Sequence, residues 1–150
     1  MLAISKFARW LKEPSREVAV VIVSSTALAE DVSQGLEAAI ADWNEVAHLR
    51  VEDMEGLQAN WLATDVAHAS GECQASELLR AVSKRCYLLD LESDGSVRLA
   101  WLGSVCGHEL RCLQLEPALA AQGEAQEQVV RVVEVARSLV KTILEERFAP

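Results

Sequence analysis

The clearest structural signal in the sequence is Val18-Ala-Val-Val-Ile-Val-Ser-Ser-Thr26, a run of mostly β-branched residues followed by three small hydroxyl residues. The apolar part does not alternate with polar residues, which is typical of a strand buried on both faces at the centre of an α/β sheet. Ser24, Ser25 and Thr26 belong to the residue types that cap helix N-termini. The stretch therefore predicts a central strand that is followed directly by a helix.

Residues 27–43 and 46–52 extend this start into a βαβ unit. The first segment carries an apolar stripe at helical spacing, formed by Leu28, Val32, Leu36, Ala39, Ile40 and Trp43. Glu30 and Asp31 would lie in its first turn, where negative charge complements the helix dipole. In the second segment apolar and polar residues alternate, which predicts a half-exposed strand with His48 on its polar face. Strand, helix and strand in this order predict a parallel, right-handed unit.

The segment from residue 87 to residue 115 predicts three antiparallel strands. Two apolar runs, Tyr87 to Leu91 and Val97 to Leu102, flank Asp94-Gly95. An Asp-Gly pair between two such runs is a strong hairpin signal. A third run, Glu109 to Leu115, would extend the hairpin into a meander.

Helices are predicted at both ends of the chain and before the meander. Met1 to Lys12 has apolar residues at helical spacing and a basic opposite face, and Pro14 ends this pattern. We interpret the segment as a helix that covers the sheet or packs across a dimer, and a membrane-surface helix is the alternative. Glu72 to Arg85 and Glu124 to Phe148 also repeat apolar residues at helical spacing. Residues 53–71 show only a short helical pattern.

These elements predict one α/β (or α+β) domain over residues 1–150. Its mixed sheet would have about five strands, with a βαβ start, a three-strand antiparallel meander and a long C-terminal helix. A chain of this length buries enough surface to fold without a metal ion or a disulfide.

Charge and composition exclude several classes of partner. The chain has Lys+Arg 14 and Asp+Glu 23, a net charge of −9 and a pI near 4.8, so a nucleic acid backbone would be repelled. It lacks an apolar run of roughly 18 residues, which a membrane-spanning helix needs. The four cysteines form no C-x-x-C pair, which predicts reduced thiols and a cytoplasmic location. We therefore expect no cofactor, no metal ion, no nucleic acid and no integral membrane association.

The strand-to-helix edge at Ser24–Thr26 is the candidate ligand site. Glycine-rich phosphate-binding motifs are absent from the sequence, so a dinucleotide-binding domain of the usual kind is not expected. Hydroxyl and main-chain N–H groups at this edge could hold a phosphate or a carboxylate, with Asp53, Asp65 or His68 brought nearby. The alternative interpretation is that the three residues only cap the helix.

Two further clusters are weaker candidates. Cys106, His108 and Cys112 would share one face of an extended segment, but the two cysteines would then stand roughly 20 Å apart, too far for one zinc ion. We interpret them as ordinary buried residues. Asp90-x-Glu92-x-Asp94-Gly95 begins like a calcium loop, yet Trp101 stands where the bidentate Glu is required. A hairpin turn is the interpretation that fits this motif.

The last predicted helix has more apolar residues than one buried face requires. Val130, Val135 and Leu139 are surplus to that face, and pairing with a second copy would bury them. We therefore predict a small acidic, non-catalytic interaction or assembly protein that forms a homodimer. The alternative function is a small enzyme or an anion- or ligand-binding protein with its site at Ser24–Thr26, although the sequence contains no catalytic signature.

Overall fold

The computed structural model describes residues 5–67, 73–93, 95–115 and 124–147. Its strands are β1 (Ala8–Lys12), β2 (Val20–Ser25), β3 (Val46–Val51), β4 (Tyr87–Ser93) and β5 (Glu109–Leu115). Its α-helices are α1 (Glu30–Ile40), α2 (Met54–Ala67), α3 (Gln74–Leu79), α4 (Gly103–Cys106) and α5 (Glu124–Arg147), and a 3-10 helix covers Ala100–Leu102. None of the helices in these ranges is long and apolar enough to cross a membrane.

The strands form one mixed sheet in the order β1-β3-β2-β4-β5. β3, β2, β4 and β5 run parallel, and β1 pairs antiparallel with β3 at one edge. The predicted α/β class, the mixed five-stranded sheet and the long C-terminal helix are confirmed. β2, α1 and β3 form the predicted parallel βαβ unit. All residues of β2 are buried, as its unbroken β-branched run predicts.

Helices cover both faces of the sheet. On one face α1 and α5 pack against residues that include Ile22, and on the other face α2 and α3 pack against residues that include Val23. α1 and α5 approach each other closely at Gly35, where a Cβ atom would lie 2.9 Å from Cγ2 of Val129. The side chains of successive residues of β2 therefore point alternately toward α1 and α5 and toward α2 and α3.

The N-terminal segment does not form the predicted helix. In its described part Ala8–Lys12 is β1, and the main-chain N–H groups of Glu52 and Asp53 donate to the carbonyl oxygen of Phe7. A helix of about twelve residues is marginal in isolation. The open edge of β3, in contrast, offers main-chain partners to these residues. β1 also makes β3 an inner strand, so His48 is fully buried and does not face solvent as predicted.

Lys12 connects this edge strand to the end of α1. Its ammonium group donates to the main-chain carbonyl oxygens of Ile40 and Trp43. Carbonyl groups at a helix C-terminus lack partners within the helix, and a positive charge there complements the helix dipole. The contact stabilises the end of α1, which is shorter than the predicted helix over 27–43.

The predicted antiparallel meander is wrong. β4 and β5 are parallel neighbours, with Tyr87 opposite Glu109. Residues 97–102 form a turn and a 3-10 helix and do not form a strand. The main-chain N–H of Leu99 donates to the Glu92 carboxylate at 2.8 Å, so a side chain replaces the ladder partner that a hairpin would have supplied.

The other helices follow the predicted periodicity with changed ends. α3 is shorter than the predicted helix over 72–85, and α5 nearly matches the predicted helix over 124–148. α2 lies in the segment where the sequence showed only a short helical pattern. Oδ1 of Asp53 accepts the main-chain N–H of Gly56 at 2.9 Å and so caps the start of α2.

Candidate functional site

The carboxyl ends of β2 and β4 flank a crevice at one edge of the sheet. The chain leaves β2 through α1 to reach β3 on one side, whereas β4 pairs with β2 on the other side. The β2–β4 ladder ends at Val23 and Asp90, although β2 continues to Ser25 and β4 to Ser93. We name the space between these two strand ends, which pair with β3 and β5 but not with each other, the β2–β4 crevice. Ligands of parallel α/β sheets commonly bind at such a position.

The three residues of the predicted ligand site lie in different environments. Ser24 and Ser25 are buried at the end of β2, and Thr26 is exposed in the following turn. Oγ of Ser25 accepts the main-chain N–H of Ala27 at 3.2 Å. Ala29 is the N-cap of α1 and no side chain caps this helix, so the capping interpretation is wrong. The reason is that Ser24 and Ser25 continue the ladder with β3.

Ser24 and His48 form a buried hydrogen bond on the side of the sheet that α1 covers. Oγ of Ser24 lies 2.7 Å from Nε2 of His48. Burial, assisted by the charge of Arg50, lowers the pKa of His48 to about 4, so the ring is neutral at neutral pH. A neutral imidazole can accept a proton from a bonded hydroxyl, but both side chains are closed off from solvent. The pair therefore serves to join β2 to β3.

Arg50 is a positive charge beside this pair. It lies opposite Ser24 in the β2–β3 ladder, and its Nη1 is 3.7 Å from the Glu30 carboxylate at the start of α1. Its Nε is buried and has no hydrogen-bond partner within the described ranges. Glu30 thus occupies the position where an anionic ligand would meet Arg50. This arrangement disfavours a phosphate or carboxylate ligand on the α1 side of the edge.

Asp90 has the most unusual environment at this edge. Its side chain is 0% exposed, no N–H or O–H group of the described residues donates to its carboxyl oxygens, and its carboxyl group lies within hydrogen-bonding reach of the Glu92 carboxyl group. Burial, together with the neighbouring Glu92 carboxylate, raises the pKa of Asp90 to about 9, so the group is protonated at neutral pH. Asp90 lies at the last step of the β2–β4 ladder, where the two strands part. A strongly shifted acid at such a position is a candidate functional group.

Glu92 and Gln114 hold the turn that follows β4. The Glu92 carboxylate accepts the hydroxyl of Ser96 at 3.1 Å and the main-chain N–H of Leu99 at 2.8 Å. Gln114 donates to the carbonyl oxygen of Ser96 at 2.6 Å and accepts the main-chain N–H of Gly95 at 3.1 Å. The calcium-like motif therefore uses its Glu to organise the turn, and its residue 94 lies outside the described residues.

Cys106, His108 and Cys112 do not form a site. Cys106 ends α4, whereas Cys112 lies in β5. His108 is buried, and its Nε2 lies 3.1 Å from the carbonyl oxygen of Val82, which gives the ring a structural role. Burial, followed by the nearby carboxyl group of Asp90, raises the pKa of the Cys112 thiol, so this thiol is a weak nucleophile at neutral pH. The described residues contain no group of three or more His, Cys, Asp or Glu side chains that could hold a metal ion.

All four cysteines are expected to titrate as free thiols. In the structure Cys73 and Cys86 are buried, Cys106 is partly exposed and Cys112 is exposed, and each is unpaired. Titration of the denatured protein is expected to give four thiols per chain both with and without reductant. Two missing thiols in the sample without reductant, or stoichiometric zinc in an elemental analysis, would contradict this expectation.

Sequence reasoning missed His48 and Asp90. The alternation in β3 predicted a solvent-exposed face for His48, and Asp90 was interpreted only as part of the turn motif. One signal was available, since Asp90 interrupts the apolar run Tyr87-Leu-Leu-Asp-Leu91. Of the other predicted residues, Asp53 caps α2, and His68 and the side chain of Asp65 lie outside the described residues.

A groove between α1 and α5 is the second notable surface feature, and we name it the α1–α5 groove. It has a volume of about 840 Å³. Its apolar lining consists of Ala38, Ala39, Trp43, Val133, Val140 and Leu144. Its charged lining consists of Asp42 and Glu45 beside the end of α1 and of Arg137, Lys141 and Glu145 on α5. The guanidinium carbon of Arg137 lies 6.0 Å from the ring centroid of Trp43, which connects the two sides of the groove.

The three residues predicted for an interface lie on two flanks of α5. Val130 is 44% exposed, whereas Val135 and Leu139 are partly buried against the core of the chain itself. At about 100° per residue, Val130 is about 140° from Val135 around the helix axis but only about 60° from Val133 of the groove. Val130 therefore extends the apolar surface of the groove, while the other two residues contribute to the fold.

Comparisons with known proteins provide no function. No protein-family model matches the sequence, and no curated protein matches it. Among solved structures, the fold is similar to part of the transketolase from Pichia stipitis in its complex with sedoheptulose-7-phosphate, with a TM-score of 0.45 and 15% sequence identity. The similarity covers 95% of this chain and 18% of that chain.

Proposed function

We propose that this protein is a small, non-catalytic interaction or assembly protein that forms a homodimer through the α1–α5 groove. The supporting observation is the groove itself, an apolar surface with charged borders on the outer side of two packed helices. Apolar surface of this kind commonly marks an interaction site. The proposal includes a cytoplasmic location, which the unpaired cysteines support.

The charges around the groove favour a second copy of this chain as the occupant. Acidic Asp42 and Glu45 border the α1 side, whereas the α5 side carries the basic residues Arg137 and Lys141 and one acidic residue, Glu145. When α5 of one protomer lies along α1 of its partner, two-fold symmetry brings an acidic border against a basic border twice. Val130, exposed on the same flank of α5, adds apolar area to this contact.

The dimer is expected to dissociate when a charge is placed on this surface. Light scattering at micromolar concentration is expected to give twice the 16.4 kDa mass of one chain. Val130→Asp is expected to weaken the dimer by about tenfold or more, because it buries a carboxylate in an apolar contact. Since Val130 is exposed in the monomer, the same substitution is expected to change the stability of the monomer little. Ser138→Asp, on the exposed side of the same helix, is the matched control and is expected to leave the mass unchanged.

A charge reversal tests the complementarity of the borders. Lys141→Glu alone is expected to weaken the dimer, and adding Asp42→Lys is expected to restore it. A mass of 16.4 kDa for the wild type under these conditions would refute the dimer. Failure of the double reversal to restore the dimer would refute the proposed pairing of the two borders.

Ligand binding at the carboxyl edge of the sheet, which includes Ser25 and Thr26, is a second candidate function. The observation that favours it is Asp90, a fully buried carboxyl group whose pKa is raised by burial and by its contact with the Glu92 carboxyl group. The two functions are compatible because they use different places. The groove lies beside the last turn of α1, whereas the crevice precedes its first turn.

A further inference from the structure

A cavity with a volume of about 470 Å³ lies at the amino edge of the sheet, at the other end of the strands from the β2–β4 crevice. β4 begins at Tyr87 and β5 begins at Glu109, and both residues line this cavity. The turn before β4, the residue after α4 and the last turn of α5 supply the rest of the lining, which consists of Lys84, Arg85, Gly107, Ile143, Glu146 and Arg147. Ligand pockets in proteins commonly have a volume of this order.

Three basic side chains in this lining have no acidic partner. Lys84 and Arg85 are exposed, and neither side chain forms an ion pair or a hydrogen bond with another described residue. Nη2 of Arg147 donates to the main-chain carbonyl oxygen of Val18 at 2.9 Å, which fixes the guanidinium group without neutralising its charge. Three positive charges that repel one another therefore border one cavity.

The two acidic side chains of the lining offset only part of this charge. The carboxylate of Glu109 is already bound, since it lies 3.4 Å from Nη2 of Arg111 and is hydrogen-bonded to the Tyr87 hydroxyl. Glu146 is exposed and forms no ion pair within the described ranges. The cavity thus has an excess of positive charge, although the chain as a whole has a net charge of −9.

The basic residues do not cap the C-terminus of α5. The last carbonyl groups of a helix lack partners within the helix, and Lys or Arg side chains can bind them. Among the described residues, the side chains of Lys84 and Arg85 donate to no carbonyl oxygen, and Arg147 donates to Val18, which lies outside α5. The helix dipole attracts cations to this place, but it leaves their N–H groups available to a ligand.

We propose that this cavity binds a small organic phosphate, with Lys84, Arg85 and Arg147 as the cations that hold its phosphoryl group. A phosphate monoester carries close to two negative charges at neutral pH and three strong acceptor oxygens, which suits an excess of positive charge and several N–H donors. A carboxylate carries one charge and neutralises less of this excess. The nearly buried side chains of Ile143 and Tyr87 provide an apolar part of the lining for the organic group.

This inference goes beyond the proposed function and is independent of the dimer. No residue lines both this cavity and the α1–α5 groove. Val130→Asp is therefore expected to bind an organic phosphate as wild type does, so failure of the dimer and failure of the phosphate site are distinguishable.

The probe for this cavity is phenyl phosphate, titrated into the full chain near neutral pH in an isothermal calorimeter. Wild type is expected to bind one molecule per chain with saturation. Benzyl alcohol has a ring but no charge, so it is expected to bind at least about tenfold more weakly without charge-assisted hydrogen bonds. Inorganic phosphate is also expected to bind more weakly than phenyl phosphate, because it has no apolar group to bury.

Substitution of the cations tests their role. Lys84→Gln combined with Arg85→Gln is expected to lower the affinity for phenyl phosphate by about tenfold or more, since two charged donors are removed. The matched control is Arg98→Gln combined with Arg131→Gln, at two exposed arginines that do not line the cavity. It changes the net charge equally and is expected to retain the affinity of wild type. Glu146→Gln is expected to raise the affinity by about twofold or more, because it removes a carboxylate that repels the phosphate.

Three results would overturn the inference. The first is the absence of saturable binding of phenyl phosphate to wild type. The second is an equal affinity in the Lys84/Arg85 double variant and its matched control, which would show that the phosphate does not use this cavity. The third is tighter binding of succinate than of phenyl phosphate, which would assign the cavity to carboxylates.

Discussion

Asp90→Asn is expected to make the folded protein more stable, with a gain that grows as the pH rises from 4 to 9. The physical reason is the environment of Asp90, whose burial raises its pKa from 3.8 to about 9. The unfolded chain loses this proton near pH 4, whereas the folded chain retains it until the pH is near 9. Asn has the shape of the protonated carboxyl group and no charge to bury, so the variant avoids this penalty.

The sign follows from the protons that each state binds. Between the two pKa values the folded state of the wild type holds one more proton than the unfolded state, so its stability falls as the pH rises. The slope is about 1.4 kcal/mol for each pH unit. The contribution of Asp90 to the free energy of unfolding is therefore fully present below pH 4 and is lost as the pH approaches 9. At neutral pH the variant is expected to be more stable than the wild type by on the order of several kcal/mol.

Urea unfolding from pH 4.5 to 9 measures this effect directly. It should be carried out at one protein concentration because the stability of a dimer depends on concentration. The difference between variant and wild type is expected to be small at pH 4.5 and to widen steadily. A difference that stays constant across this range would show that Asp90 does not hold its proton in the folded state. Asp31→Asn, at an exposed acid, provides the control.

His48 is expected to destabilise the folded protein in acid. Burial lowers its pKa from 6.5 to about 4, so the unfolded state takes up a proton near pH 6.5 and the folded state does not. The stability that His48 contributes is present above pH 6.5 and is lost as the pH falls toward 4, again by about 1.4 kcal/mol for each pH unit. In the wild type this loss opposes the gain from Asp90, so the two contributions cancel over the range from pH 4.5 to 6.5.

The Asp90→Asn background separates the two groups. In this variant stability is expected to rise from pH 4.5 to 6.5 and then to level off. Adding His48→Gln, which retains a polar side chain beside Ser24 but no titratable ring, is expected to remove the rise. A single variant Asp90→Asn whose stability does not change between pH 4.5 and 6.5 would contradict a neutral, buried His48.

The stability cost of Asp90 bears on the function of the carboxyl edge. A fully buried carboxyl group that weakens the fold at neutral pH and lies at the carboxyl edge of the sheet is a candidate ligand-binding group. Ser24 and Nε2 of His48 are hydrogen-bonded to each other on the other side of the sheet, although Nδ1 of His48 has no partner among the described residues. The crevice side with Asp90 is therefore the part of the edge where we expect a ligand, and the α1 side is structural.

Local signals in the second half of the chain led to a wrong topology. Gly95 has a φ of 72°, which is the turn conformation that the Asp-Gly pair predicts. The turn nevertheless leads into a 3-10 helix at Ala100–Leu102 and not into a returning strand. The carboxylate of Glu92 and the amide of Gln114 satisfy the backbone of this segment, so it needs no strand partner. A turn residue therefore indicates where the chain bends but not which secondary structure follows the turn.

Elements with a local, periodic signal were predictable from the amino-acid sequence alone. The β-branched run through Val23 predicted the central strand, the pattern that follows it predicted α1 and β3, and the apolar stripe after Glu124 predicted α5. The order of the strands, the edge strand at residues 8–12 and the burial of His48 and Asp90 became known only from the folded chain. The physical reason is that periodicity reports which side chains favour burial along one element, whereas pairing and pKa depend on groups that distant parts of the chain bring together across the sheet.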